Sequence, residues 1–202
     1  LGYFIRVDHG ALNEALRQTQ QRRRQRFHEF VKALAGRGTT IPDEHVRSVE
    51  AVSASLGRRH LAVLLVRSGF ARTRHEAWQR FVAPLREDAT AKNWLPIEEA
   101  IALIRDAGGV SSLAHPPDNF TEFETLRDSG LNAVEAVYPW GRSTCEKALR
   151  ETAARLGFFV TGGSDCHGPE PARRCIGSHT ITVEELERLR QFSGHPVNLH
   201  SA

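Results

Sequence analysis

From about residue 94 the sequence alternates short apolar runs with stretches of helical spacing, and this alternation restricts the fold more than any other feature. Residues 110–114, 131–137 and 158–161 read as buried strands: each is a short apolar run bounded by glycine or a turn signal. Between and around them lie helices. Pro96 sits at the first position of a helix whose apolar face is Ile97, Ala100, Ile101 and Ile104, and Gly108-Gly109 ends it. Further helices are expected at 123–129, from the capping box Ser143-Thr144-Cys145-Glu146 to Gly157, and at 183–192. Strands separated by helices of this length imply a parallel sheet or barrel.

Residues from about 10 to 90 have a different character and read as helices without a strand. A long helix over 11–35 is predicted by Leu12, Leu16, Phe27, Phe30, Val31 and Leu34; its middle, 17–26, is polar all round, and Gly36 and Gly38 stop it. A second helix is expected at 58–68, closed by Gly69, and a third opens at the capping box Thr73-Arg74-His75-Glu76. A composition of 40% apolar and 25% charged residues is that of a globular chain. No run of about eighteen apolar residues spans a membrane, and Leu1-Gly2-Tyr3-Phe4-Ile5 is too short for a signal peptide, so a cytoplasmic address is expected. Three cysteines without a CxxC pair read as thiols, and a net charge of +3 argues against a dedicated nucleic-acid binder. The absence of methionine and the abrupt apolar opening read as a piece of a longer protein, cut before residue 1.

In parallel α/β architectures chemistry collects just past the carboxyl ends of the strands. Three segments fall there: Ala114-His115-Pro116, Val137-Tyr138-Pro139, and the run from Thr161 through Gly162-Gly163-Ser164-Asp165-Cys166-His167 to Gly168. The two glycines are expected to turn the chain tightly, and Asp165 and His167 then point to one side of an extended loop. A carboxylate with an imidazole suits zinc, manganese or iron; the other reading is a glycine-rich turn in which Asp165 bonds its own backbone. His115 ends a second strand, where Pro116 is expected to keep its backbone extended. Alone it reads equally as a hydrogen-bonded core group, but two strand ends offering such donors favour a shared ion. Ser55-Leu56-Gly57-Arg58-Arg59-His60 lies at a helix start that suits an anionic phosphate, or is simply a solvated basic turn. Glu135 reads as a carboxylate supporting a ligand or as an inward strand residue, and Cys166 as a small packing group.

With these residues in view, the chain resembles the PHP family, the polymerase and histidinol phosphatase metallo-phosphoesterases. The resemblance rests on the opening Leu1–Ile5 stretch, Gly57-Arg58-Arg59-His60, Ala107-Gly108-Gly109-Val110 through Leu113-Ala114-His115-Pro116, Val134-Glu135 through Tyr138-Pro139, and the Thr161-to-Gly168 motif. It implies the C-terminal portion of a distorted (β/α)7 barrel with a helical insertion: a strand remnant at 1–9, the insertion at 10–92 and barrel at 93–202. It also implies His115, Asp165 and His167 as metal ligands, with Asp165 and His167 taking part in catalysis. Up to three divalent ions (zinc, manganese or iron) are implied in a complete domain. Ser55, Arg58, Arg59 and His60 would hold the substrate phosphate, with Arg59 where the family has proline. The family's opening His-x-His and Asp-His motifs would lie before residue 1. The expected activity is metal-dependent hydrolysis of phosphate monoesters or diesters in small metabolites, nucleotides or oligonucleotide ends. Nucleic acid enters only as substrate, and no membrane partner is implied. The alternative is a non-catalytic family remnant acting as a binding module.

Overall fold

The computed structural model describes residues 1–86, 95–117, 119–139, 143–166 and 174–194. They divide into two compact units, Leu1–Leu12 with Pro96–Ala202, and Asn13–Leu95.

The first unit is a four-stranded sheet with helices, in strand order β1 (Gly2–Tyr3), β2 (Val110–Leu113), β3 (Ala133–Val137) and β4 (Phe159–Gly162). β1 runs antiparallel to β2, whereas β2, β3 and β4 are mutually parallel, as the strand–helix alternation requires. The crossovers carry α6 (Phe123–Asp128) and α7 (Ser143–Leu156); α5 (Ile97–Asp106) precedes β2 and α8 (Val183–Ser193) follows β4. β3 is buried on both faces, with Val134 and Ala136 in an apolar cluster that also holds Ile101, Phe123, Leu149 and Phe158. The other face holds a second apolar cluster of Val110, Ala133 and Leu189, with Phe159 and Ile181 packed against it, and also carries buried polar side chains. Ser112 Oγ lies 2.7 Å from Thr161 Oγ1, and both side chains are buried. Ser112 pairs with Ala133 and Thr161 with Glu135, so β3 stands between the two hydroxyls. In a flat sheet such strands would be about 9–10 Å apart. The direct bond therefore requires the sheet to curl toward this face, over the small side chain of Ala133.

Two glycines permit close approach here. A Cβ on Gly109 would stand 2.8 Å from the Tyr3 carbonyl oxygen and 3.1 Å from that of Ile104; one on Gly162 would stand 2.9 Å from Val137 Cβ. Pro96 proves to be the N-cap of α5, one position before the expected first turn.

The second unit is helical. The long helix α1 (Gly10–Gly36) starts in the first unit and continues into this one, where Phe27, Phe30 and Leu34 are buried at helical spacing. α2 (Asp43–Val52) lies in the region expected to be helical, at a place where no particular helix was assigned: Pro42 is its N-cap, Asp43 and Glu44 occupy its first turn, and Val46 and Val49 face the core. α3 (Arg58–Arg67) supplies Leu61, Leu64 and Leu65 to the same cluster. α4 (Arg74–Ala77) opens with Thr73 accepting from the Glu76 amide at 3.1 Å, while the Glu76 carboxylate reaches back to the Arg72 amide rather than that of Thr73. A π-helical turn (Trp78–Val82) and a 3-10 turn (Ala83–Arg86) continue it.

Gly109→Ala is expected to lower stability by about 1–3 kcal/mol through overpacking against two carbonyls. Gly36→Ala, where nothing lies within 4 Å of the new Cβ, should be neutral or mildly stabilising. Thermal denaturation of the two variants checks the contrast.

Candidate active site

His115 follows β2, Glu135 lies within β3, and Asp165 follows β4, so three consecutive parallel strands contribute one side chain each. The His115 Nε2 atom is 3.4 Å from Glu135 Oε2 and 3.9 Å from Asp165 Oδ1. The His115 amide also donates to Glu135 Oε2 at 3.1 Å. The sequence-predicted residues His115 and Asp165 are thus brought together. His167 lies outside the described residues, as do Gly168 and the segment up to 173.

Two local expectations are corrected. His115 and Asp165 both have φ +44°, in the left-handed region that residues other than glycine rarely adopt. The bias that Pro116 places on its predecessor is overridden at His115. There the Glu135 carboxylate accepts the amide, and Tyr138 Oη donates to the Pro116 carbonyl at 2.8 Å, fixing the chain on both sides. The Tyr138 ring also stands against the imidazole, with centroids 5.6 Å apart. Asp165 likewise does not sit on extended backbone. Its carbonyl oxygen and Oδ2 both accept from Arg174 Nη2, and the Arg174 side chain is buried.

Gly162 and Gly163 do not provide a turn through positive φ. Their role is space: a Cβ on Gly163 would lie 3.2 Å from Glu135 Oε1, just as one on Gly162 would crowd Val137. Cys166 is exposed, contrary to the packing role expected for it.

Glu135 was underweighted in the sequence, although its signal was there: one carboxylate in the otherwise apolar Ala133-Val134-Glu135-Ala136-Val137. Its residue is 3% exposed. Burial pushes its pKa above the ordinary glutamate value; the His115 amide and the His115 charge pull it down, and the Asp165 carboxylate pushes it up. Burial likewise raises the Tyr3 hydroxyl, against a hydrogen bond with Thr161 and with a smaller push from Glu135.

One imidazole and two carboxylates are the donor types that divalent transition metals take. A separation of 3.4 Å between His115 Nε2 and Glu135 Oε2 also suits two ligands about 2.1 Å from one ion. Among the described residues, however, no group of three or more His, Cys, Asp or Glu side chains is placed to hold an ion by itself. The residues fit a metal in kind, as part of a ligand set.

The predicted phosphate-binding residues lie in the second unit and do not join His115 and Asp165 in one compact unit. Gly57 is the extended N-cap of α3, its amide donates to His60 Nδ1 at 3.1 Å, and the Arg58 guanidinium stands 5.4 Å from the Trp78 ring centre. Ser55 and Arg59 are exposed. Arg23 donates to the Leu56 carbonyl at 2.9 Å, in the space a side chain at Gly57 would enter.

No family model matches the chain. It is 25% identical over 143 residues to a 3',5'-nucleoside bisphosphate phosphatase of Chromobacterium violaceum, covering 66% of this chain and 49% of that protein. It is 29% identical over 180 residues to the 5'-3' exoribonuclease Rnm of Salmonella typhimurium, covering 85% and 60%. The chain thus spans about half to three-fifths of the length of these curated relatives. Among solved structures, a Bifidobacterium adolescentis protein provisionally described as a metal-dependent phosphoesterase superposes with TM-score 0.72 at 24% identity, covering 98% of this chain and 71% of that one. An amidohydrolase from Chromobacterium violaceum, with bound sulfate and no metal, gives TM-score 0.77 at 21% identity, covering 93% and 69%. These two likenesses are of fold. The curated relatives are a phosphatase and an exoribonuclease, both acting on phosphate esters, and the fold shared with the solved structures is mixed α/β. The relatives and the fold together bear out the resemblance to the PHP family of metal-dependent phosphoesterases.

A pH-dependent stability difference follows from Glu135. Its folded pKa is raised, so its ionisation opposes folding. That cost is absent below the ordinary glutamate value, grows as pH climbs toward the raised value, and is complete above it. In metal-free protein the Tm of Glu135→Gln relative to wild type should therefore become more favourable as pH rises from below the ordinary glutamate value through the raised one. A difference that stays level across that range would contradict the assignment.

Proposed function

We propose that this chain supplies the β2–β4 side of the active site of a metal-dependent phosphoesterase. Its substrates are phosphate monoesters or diesters of nucleotides, oligonucleotide ends or small phosphorylated metabolites. The observation that carries the reading is the convergence of His115 and Asp165, just past the ends of β2 and β4, on Glu135 of the intervening β3 in a curled parallel sheet. The curl supports placing the sheet in the C-terminal portion of a distorted (β/α)7 barrel, with 1–9 as a strand remnant, 10–92 as a helical insertion and 93–202 as barrel. The relatives' names, a nucleoside bisphosphate phosphatase and an exoribonuclease, favour phosphates carried on nucleotides, with RNA as substrate only.

In this reading His115, Asp165 and His167 are ion ligands, and Asp165 and His167 take part in catalysis. A divalent ion held there (zinc, manganese or iron) polarises phosphoryl oxygens and lowers the pKa of water. Glu135 orients the His115 peptide through its backbone amide, which sets the direction from which the imidazole leaves the chain. Ser55, Arg58, Arg59 and His60 hold the substrate phosphate; the bond of His60 to the Gly57 amide and the stacking of Arg58 on Trp78 give that helix start a defined shape. A cytoplasmic setting goes with this chemistry, and among the described residues no helix is long and apolar enough to cross a membrane.

A second reading is a non-catalytic binding module, since the chain covers 49% and 60% of the length of the phosphatase and exoribonuclease it matches. Metal content together with phosphate release from adenosine 3',5'-bisphosphate and from a 5'-phosphorylated oligoribonucleotide separates the two. The enzyme reading expects release that a chelator abolishes and manganese restores. It also expects Asp165→Asn to cut turnover at least about a hundredfold, since a ligand and its charge both change. Near-normal turnover of that variant with full metal content would remove Asp165 from the site. Metal bound at one equivalent with no release from either substrate would establish the binding module.

A further inference from the structure

Arg174 follows the Asp165 motif in sequence and returns to it in space. Its residue is 6% exposed, and a single nitrogen, Nη2, donates to both the carbonyl oxygen and Oδ2 of Asp165. One nitrogen can serve both acceptors only if the carbonyl and the carboxylate of Asp165 turn to the same side. That requirement couples the side chain to the backbone, which here has φ +44°. The opposite carboxylate oxygen, Oδ1, then faces His115 Nε2 across 3.9 Å. The two oxygens of Asp165 thus have divided duties, one toward the buried guanidinium and one toward the imidazole.

The geometry points to Arg174 as a positioning residue, a clamp that holds Asp165 in its left-handed conformation and aims Oδ1 at the space shared with His115. Left-handed backbone is disfavoured for an L-residue and persists while its surroundings hold it. Without the guanidinium the backbone relaxes toward negative φ, the carboxylate swings with it, and the donor pair is lost. The consequence for ion binding rests on the metal reading given above; the conformational part does not. A competing role can be stated for the same contact: a guanidinium beside a carboxylate could act as a stand-in cation that an arriving ion must displace. The two roles predict opposite signs. Removing a clamp weakens ion binding, whereas removing a competitor strengthens it.

The test uses the full chain with Arg174→Gln and Arg174→Lys. In metal-free protein, amide hydrogen exchange of the 163–166 segment should rise in Arg174→Gln while peptides from β2 and β3 keep their protection. Calorimetric titration with Mn2+ should show affinity about ten- to a hundredfold weaker for Arg174→Gln, as for loss of other groups that orient a ligand. Arg174→Lys keeps one cationic nitrogen, so it should recover part of both effects, and it keeps the test open if the glutamine variant does not fold. Unchanged exchange, or an Mn2+ affinity that is unchanged or higher, overturns the clamp. If the wild-type chain binds no Mn2+, the proposed function falls, and the exchange pattern alone upholds or overturns the clamp.

Discussion

The carboxyl group of Glu135 is buried in the middle of a sheet strand, where an apolar side chain would be expected, and the arrangement around it follows from satisfying that group. It accepts the backbone amide of His115, which belongs to the end of the neighbouring strand. On the other side, Gly163 has no side chain to displace it. A bond to an amide rather than to a side chain has a specific effect, because it fixes the direction of the peptide that carries the imidazole. His115 is thereby held in a conformation that a pre-proline residue avoids. The hydrogen bond from that amide to the buried carboxyl group holds the distortion in place.

The sheet brings the three strand ends close by curling. The Ser112–Thr161 contact reaches over β3 at Ala133, and Tyr3 of β1 engages the same threonine. A larger residue at 133 would separate the hydroxyls and flatten the sheet, moving His115 away from Asp165. Gly162 serves the same end: its bare Cα lets β4 pass close to Val137, at the register shift between Glu135 and Val137. Curvature, register shift and glycine are three aspects of one adjustment, and its outcome is that side chains from β2, β3 and β4 share a space.

Most of the secondary structure was legible because it rests on periodicity and on local chemistry. The long helix is written in Phe27, Phe30 and Leu34, and the parallel strands in short apolar runs ending at glycine or at a helix start. The helix at Asp43–Val52 was not read, since it offers only two buried valines and Pro42 in the capping position gives no side-chain bond. At the site, His115 and Asp165 were legible as donor types at strand ends. Their backbone conformations were not, because the groups that impose them, Glu135, Tyr138 and Arg174, come from other parts of the chain. The Gly162-Gly163 pair misled for a similar reason: local rules explain glycine by turns, whereas here neighbouring strands need the room. Glu135 was visible as an anomaly in an apolar strand, and its meaning depended on which amide it would meet.

His115 and Asp165, the two proposed ligands that the described residues contain, are both strained in the same backbone region, yet each is held by a different device. For His115 the device is a buried carboxylate and a tyrosine; for Asp165 it is a buried arginine. Strain at one such residue could be incidental to a turn. Strain at two residues from different strands, whose side chains face one another, is better explained by the requirement that they face one another. In the proposed function such donors would be held in place before an ion arrives, so that an ion would not first have to reorganise them. On this view the destabilising features of the unit, a desolvated glutamate and two left-handed residues, are concentrated where the proposed chemistry is, while the apolar clusters on the two faces of the sheet supply the stability that tolerates them.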